Sequence, residues 1–83
     1  MVTPDSVKAG IAAGLACEHL EVIGDGQHFQ ALIVSAAFAG KSRVQRHQLV
    51  YAALGDRMRE EIHALSMQTL TPEEWNQKDR IGG

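Results

Sequence analysis

The sequence predicts an α+β domain: a three-stranded mixed sheet with helices packed on one face, in the order α-β-β-α-α-β-α. Three observations predict it. Thr3-Pro4-Asp5 opens a helix, two β-rich runs flank the turn Gly24-Asp25-Gly26-Gln27, and a third β-rich run, Ile62 to Leu70, follows a long helical stretch. A hairpin pairs the first two strands antiparallel. The helical connection lets the third lie parallel to its neighbour through a right-handed crossover.

The first helix is expected from about Pro4 to Leu15. Thr3 caps it, Pro4 takes the first helical position, and Val7, Ile11 and Leu15 form one apolar stripe. Gly10 and Gly14 each weaken it by roughly 1 kcal/mol relative to alanine, so it depends on packing that stripe onto the sheet. The strands His19 to Ile23 and His28 to Val34 follow. In the second, Phe29, Ala31 and Ile33 share one face while Leu32 and Val34 make the other apolar too, the pattern of a central strand.

Ser42 caps a helix running to about Leu54, and Gly55 stops it. Leu49 to Leu54 reads as buried. The opening turns carry Lys41, Arg43, Arg46 and His47, which leaves Val44 as the apolar contact there. Asp56 caps a short helix through Glu61, with Met58 and Ile62 turned inward. Finally, Thr71-Pro72-Glu73-Glu74 is a capping box with proline at the first position, and Leu70 and Trp75 stand at the positions of a hydrophobic staple. Fraying is expected from about residue 76.

Length and composition bound the function. The 83 residues suit one domain, 1–83, with a thin core, because a chain this short hides only roughly 60–65% of its unfolded surface. Apolar residues are 45% and charged ones 22%, a folding composition and not a disordered one. The single cysteine, Cys17, excludes an intramolecular disulfide and a multi-cysteine metal site, and fits a reducing compartment. The apolar run Ala31 to Phe38 is too short to span a membrane, and Met1 to Ser6 lacks a basic region followed by an apolar stretch, so a cytoplasmic protein with no membrane partner is expected. A net charge of −2 gives no long-range attraction to nucleic acid, so such binding needs a local patch.

Enzyme signatures are missing. There is no nucleophile and base pairing, no phosphate-cradling glycine loop with a Lys-Ser/Thr pair, and no H-E-x-x-H. The adjacent acids Glu60-Glu61 and Glu73-Glu74 point to different sides of their helices. A binding protein, not an enzyme, is the expectation.

Three stretches carry a resemblance: Phe38-Ala39-Gly40, then Gln45-Arg46-His47-Gln48-Leu49-Val50-Tyr51, and then Ile62-His63-Ala64-Leu65-Ser66 with Thr71-Pro72-Glu73-Glu74-Trp75. In this order, across roughly Val7 to Trp75, they resemble the BolA family, and the short hairpin loop resembles its bacterial acid-stress branch. The resemblance implies a class II KH-like fold and a function in iron homeostasis or the stress response. The implied partner is a monothiol glutaredoxin with glutathione, sharing a [2Fe-2S] cluster. It further implies that His63, in I-H-A-L, is a cluster ligand and that the second comes from the first hairpin loop, where His28 is the candidate.

Read from pattern alone, His63 is a strand histidine capping a backbone carbonyl, a reading that the resemblance reverses, while His28 serves equally as an exposed turn histidine. Cys17 reads as a small buried hydrophobe, His47 as a surface histidine steadying the helix start, and His19 has no assigned role. The alternative function is a KH-like, DNA-binding transcriptional regulator, with Lys41, Arg43 and Arg46 as the nucleic-acid-binding residues. Against it, Gly40-Lys41-Ser42-Arg43 supplies only the first glycine of a G-x-x-G loop, and no aromatic residue sits beside these charges to stack a base.

Overall fold

The computed structural model describes the backbone of residues 2–61 and 64–82 and the side chains of residues 2–55 and 64–77. His63 and Ile62, and the side chains of Asp56 and Met58, lie outside the described residues. Along the chain run α1 (Pro4–Gly14), β1 (His19–Gly24), β2 (His28–Val34), a 3-10 turn (Ala36–Phe38), α2 (Arg43–Glu61), β3 (Ala64–Leu70) and α3 (Pro72–Gly82). The helix starts follow their sequence signals. Thr3 and Ser6 exchange side-chain and backbone hydrogen bonds at α1, and Thr71 and Glu74 do the same at α3. At α2 the Ser42 hydroxyl accepts from the Gln45 N–H, and the Gln45 side chain accepts from the Ser42 N–H. Gly55 breaks α2 with φ of 82°, a left-handed conformation that favours glycine.

The sheet order is β1-β2-β3, with β2 central, antiparallel to β1 and parallel to β3. Phe29, Ala31 and Ile33 on β2 are buried and meet Val7 and Ile11 of α1 and Val50 and Leu54 of α2 in one core. Their register partners Leu20, Val22, Leu65 and Met67 pack at its margin. Each fully buried aliphatic contributes about 1.5–3 kcal/mol. Two glycines permit close approaches. A Cβ on Gly14 would lie 2.7 Å from the Ala53 Cα, where α1 meets α2, and one on Gly24 would lie 2.5 Å from the Phe29 ring.

One expectation changes and one element is added. Val44 is 65% exposed, so it gives no core contact, and the stem of Arg46 takes the inward place on that turn. The 3-10 turn arises because buried Ser35 caps it, its hydroxyl accepting from the Ala37 N–H. The last helix, α3, runs from Pro72 to Gly82.

Candidate functional site

The hairpin that presents His28 is built by Asp25. Its Oδ1 accepts the backbone N–H groups of His28 at 2.8 Å and Gln27 at 3.0 Å, and those bonds, the one from His28 foremost, hold the carboxyl below the ordinary aspartate range. Gly26, with φ of 100°, completes the turn. The result is an exposed imidazole at the end of a defined turn: the His28 side chain is 75% exposed, with Nδ1 3.9 Å from Asp25 Oδ2. His28 is the register partner of Ala64, the residue that follows His63 in the chain. His63 itself lies outside the described residues. An exposed imidazole with a carboxylate nearby is of the residue type that can ligate a metal.

The basic segment resolves into two unlike parts. Arg46 is inward: its side chain is 14% exposed, Nε donates to the Lys41 carbonyl at 2.9 Å, and Nη1 donates to the Thr69 carbonyl at 3.0 Å and to Glu74 Oε1 at 2.8 Å. Nη2 reaches Glu74 Oε2 at 3.4 Å, and the guanidinium carbon lies 5.9 Å from the Phe38 ring centroid. Arg46 is thus a brace among α2, β3, α3 and the Phe38 turn, with most of its donors committed. The Arg46 guanidinium, helped by the Thr71 N–H, holds the Glu74 carboxyl below its ordinary range. Lys41 and Arg43 are exposed, and among the described residues neither forms an ion pair. Together with Arg46, His47 and the β3 residues Met67 to Leu70 they line a groove between the start of α2 and the edge of the sheet.

His47 is half-buried instead of lying on the surface, and its Nε2 is sequestered from solvent with no hydrogen-bond partner among the described residues. Cys17 is half-buried, its thiol donating to the Leu15 carbonyl at 3.3 Å, and burial pushes its pKa up, away from the reactive thiolate. His19, given no role by sequence, stacks on Trp75 with ring centroids 5.0 Å apart and meets Glu21 at 3.1 Å. No spacing rule joins residues 19 and 75; the signal lies only in the tertiary fold. Arg46 was also missed as a brace. The one hint was that F-x-G, R-H and T-P-x-E-W each place one residue, Phe38, Arg46 and Glu74, at this single junction.

Element order, mixed sheet and parallel crossover define an α+β domain of the class II KH-like kind. The comparisons with known proteins then narrow it. The BolA-like protein family model matches residues 11–74. The chain is 44% identical over 80 residues to protein BOLA2 of Arabidopsis thaliana, covering 90% of this chain and 85% of that one. It is 34% identical over 80 residues to the acid stress protein IbaG of Escherichia coli strain K12, covering 95% of both. The crystal structure of a bol-like protein from Babesia bovis superposes with a TM-score of 0.85 at 36% identity over 96% of each chain. This chain belongs to the BolA-like family. Among the described residues no helix is long and apolar enough to cross a membrane.

Proposed function

We propose that this chain is an iron–sulfur adaptor that acts by binding, not by catalysis. It pairs with a monothiol glutaredoxin carrying glutathione, and His63 and His28 are its ligands to a shared [2Fe-2S] cluster. The observation that carries the reading is the register pair His28 and Ala64: it sets an exposed imidazole beside the strand that begins just after His63. In this role His28 offers a neutral ring nitrogen, and Asp25 steadies the loop and the ring. Histidine in place of thiolate raises a cluster's potential and makes its retention sensitive to acid, which suits a labile, regulatory cluster. A stress-linked role agrees with the likeness to the acid stress protein.

The nucleic-acid reading is weaker, because Arg46 is occupied by Glu74 and two backbone carbonyls, leaving Lys41 and Arg43 as its cations. The adaptor reading is tested by visible absorption and circular dichroism of the chain mixed with a monothiol glutaredoxin, glutathione, ferrous iron and sulfide. A heterocomplex spectrum distinct from that of the glutaredoxin alone is expected, lost in His63→Ala and weakened in His28→Ala. A wild-type mixture showing neither association nor spectral change refutes it, and an unchanged spectrum in both variants refutes the ligand assignment.

A further inference from the structure

We infer that the groove between β3 and the start of α2 receives an extended acidic peptide segment of a partner protein, which adds to the sheet as a strand beside β3. Two independent observations converge there.

The first is the backbone of β3, an edge strand because the sheet order is β1-β2-β3. The Leu70 carbonyl accepts from the Ser35 N–H on the β2 side. In a parallel ladder the inward groups belong to alternate residues, so Leu70 and Gln68 face β2 while Thr69 and Met67 turn their amide groups outward. The guanidinium of Arg46 agrees with that assignment, meeting the Thr69 carbonyl from outside at 3.0 Å. This leaves the Thr69 N–H and both backbone groups of Met67 outward, and among the described residues nothing donates to them or accepts from them. Such a row is a template for an added strand.

The second is charge. Lys41 and Arg43 stand on the helix side of the same groove, exposed and unpaired among the described residues, while Arg46 and Glu74 neutralise each other. The open charge is therefore positive. A strand added here presents alternate side chains to Lys41 and Arg43, and acidic residues at those positions complement them. A nucleic-acid strand would meet the same charges but would leave the outward amides unused, and among the lining residues it would find no aromatic platform except the ring of half-buried His47. The inference does not depend on the cluster reading, since His28 and Ala64 lie at the other end of the β2–β3 ladder.

The test is an amide NMR titration of the full chain with a short acetylated and amidated peptide of alternating threonine and glutamate. Saturable shifts centred on Met67 and Thr69 are expected. Arg43→Glu should weaken binding by about tenfold, a lysine-for-glutamate peptide should not bind, and N-methylation of alternate peptide amides should cost a similar factor. Overlaid spectra away from the groove show that Arg43→Glu is folded. Absence of saturable shifts overturns the proposal. So does binding indifferent to N-methylation, which marks contact by charge alone, or tighter binding of oligothymidine than of the peptide.

Discussion

Arg46→Met removes the brace while keeping the unbranched stem against Phe38. The guanidinium serves two backbone carbonyls, Lys41 and Thr69, at 2.9 and 3.0 Å. Losing these bonds costs about 1 kcal/mol each. The ion pair with Glu74 is short at 2.8 Å, but Glu74 is 44% exposed, so solvent screening holds its share to about 0.2–1 kcal/mol. The expected loss is about 2–3 kcal/mol, a large part of the roughly 4–12 kcal/mol available to a chain of this size. At about 4–8 °C per kcal/mol, Tm should fall by roughly 8–24 °C. Arg46→Lys keeps the charge but not the planar fork and should lose about half as much. Urea unfolding at neutral pH gives the values, with the slope unchanged if only the folded state is weakened. A double-mutant cycle with Glu74→Gln should return a coupling of about 0.5–1 kcal/mol. If Arg46→Met unfolds within ~0.5 kcal/mol of wild type, Arg46 is a surface cation after all and the assignment of its donors is wrong.

Two further predictions concern stability. Gly24→Ala puts a Cβ 2.5 Å from the Phe29 ring and 2.6 Å from the His28 carbonyl oxygen, so it should cost about 1–3 kcal/mol by chemical unfolding; a neutral result would mean the hairpin relaxes freely. Glu74, with its pKa lowered on folding by Arg46 and Thr71, binds protons less readily folded than unfolded. Its stabilisation is therefore fully present above the ordinary glutamate value of about 4.3 and is lost as pH falls through the lower folded-state value. Glu74→Gln should flatten that part of the acid limb of a stability-against-pH curve, and a variant that tracks wild type there would show that Glu74 titrates normally.

The parts of the fold legible in the sequence are those fixed by local chemistry. Thr3-Pro4 and Thr71-Pro72 announce helix starts because a capping oxygen and a fixed φ act within one turn. Phe29, Ala31 and Ile33 announce a buried strand face because the period of two is imposed by the pleat. Gly55 announces a helix end because its backbone turns left-handed there. What sequence misjudged depends on partners remote in the chain. Arg46 among Lys41, Arg43 and His47 looks solvated, since the acceptors that draw it inward, Thr69 and Glu74, come more than twenty residues later. The reverse holds for Val44, whose apolar side chain promised a contact that the helix orientation denies. Of the candidate site, pattern alone placed His28 at the end of a turn and offered it as an exposed histidine, as it is, but its pairing with Ala64 is not readable without the register.

The two ends of the sheet differ in how they are fastened. At one end, fully buried Ser35 donates from its hydroxyl to the Ala16 carbonyl at 2.6 Å, accepts from Ala37, and donates from its backbone to the Leu70 carbonyl. One residue thereby rivets the loop after α1, the 3-10 turn and the last residue of β3. At the other end the tip of the β1–β2 hairpin is closed by the Asp25 side-chain bonds to Gln27 and His28 and by the Asp25 N–H to the His28 carbonyl, all in contact with solvent. Transient opening should start at the hairpin and stop before the rivet, so amide hydrogen exchange is fast around His28 and slowest at Val34 and Ser35. The exposed histidine therefore stands at the end of the sheet that opens first, one residue ahead of buried Phe29, so a partner meets it without reaching the Ser35 end.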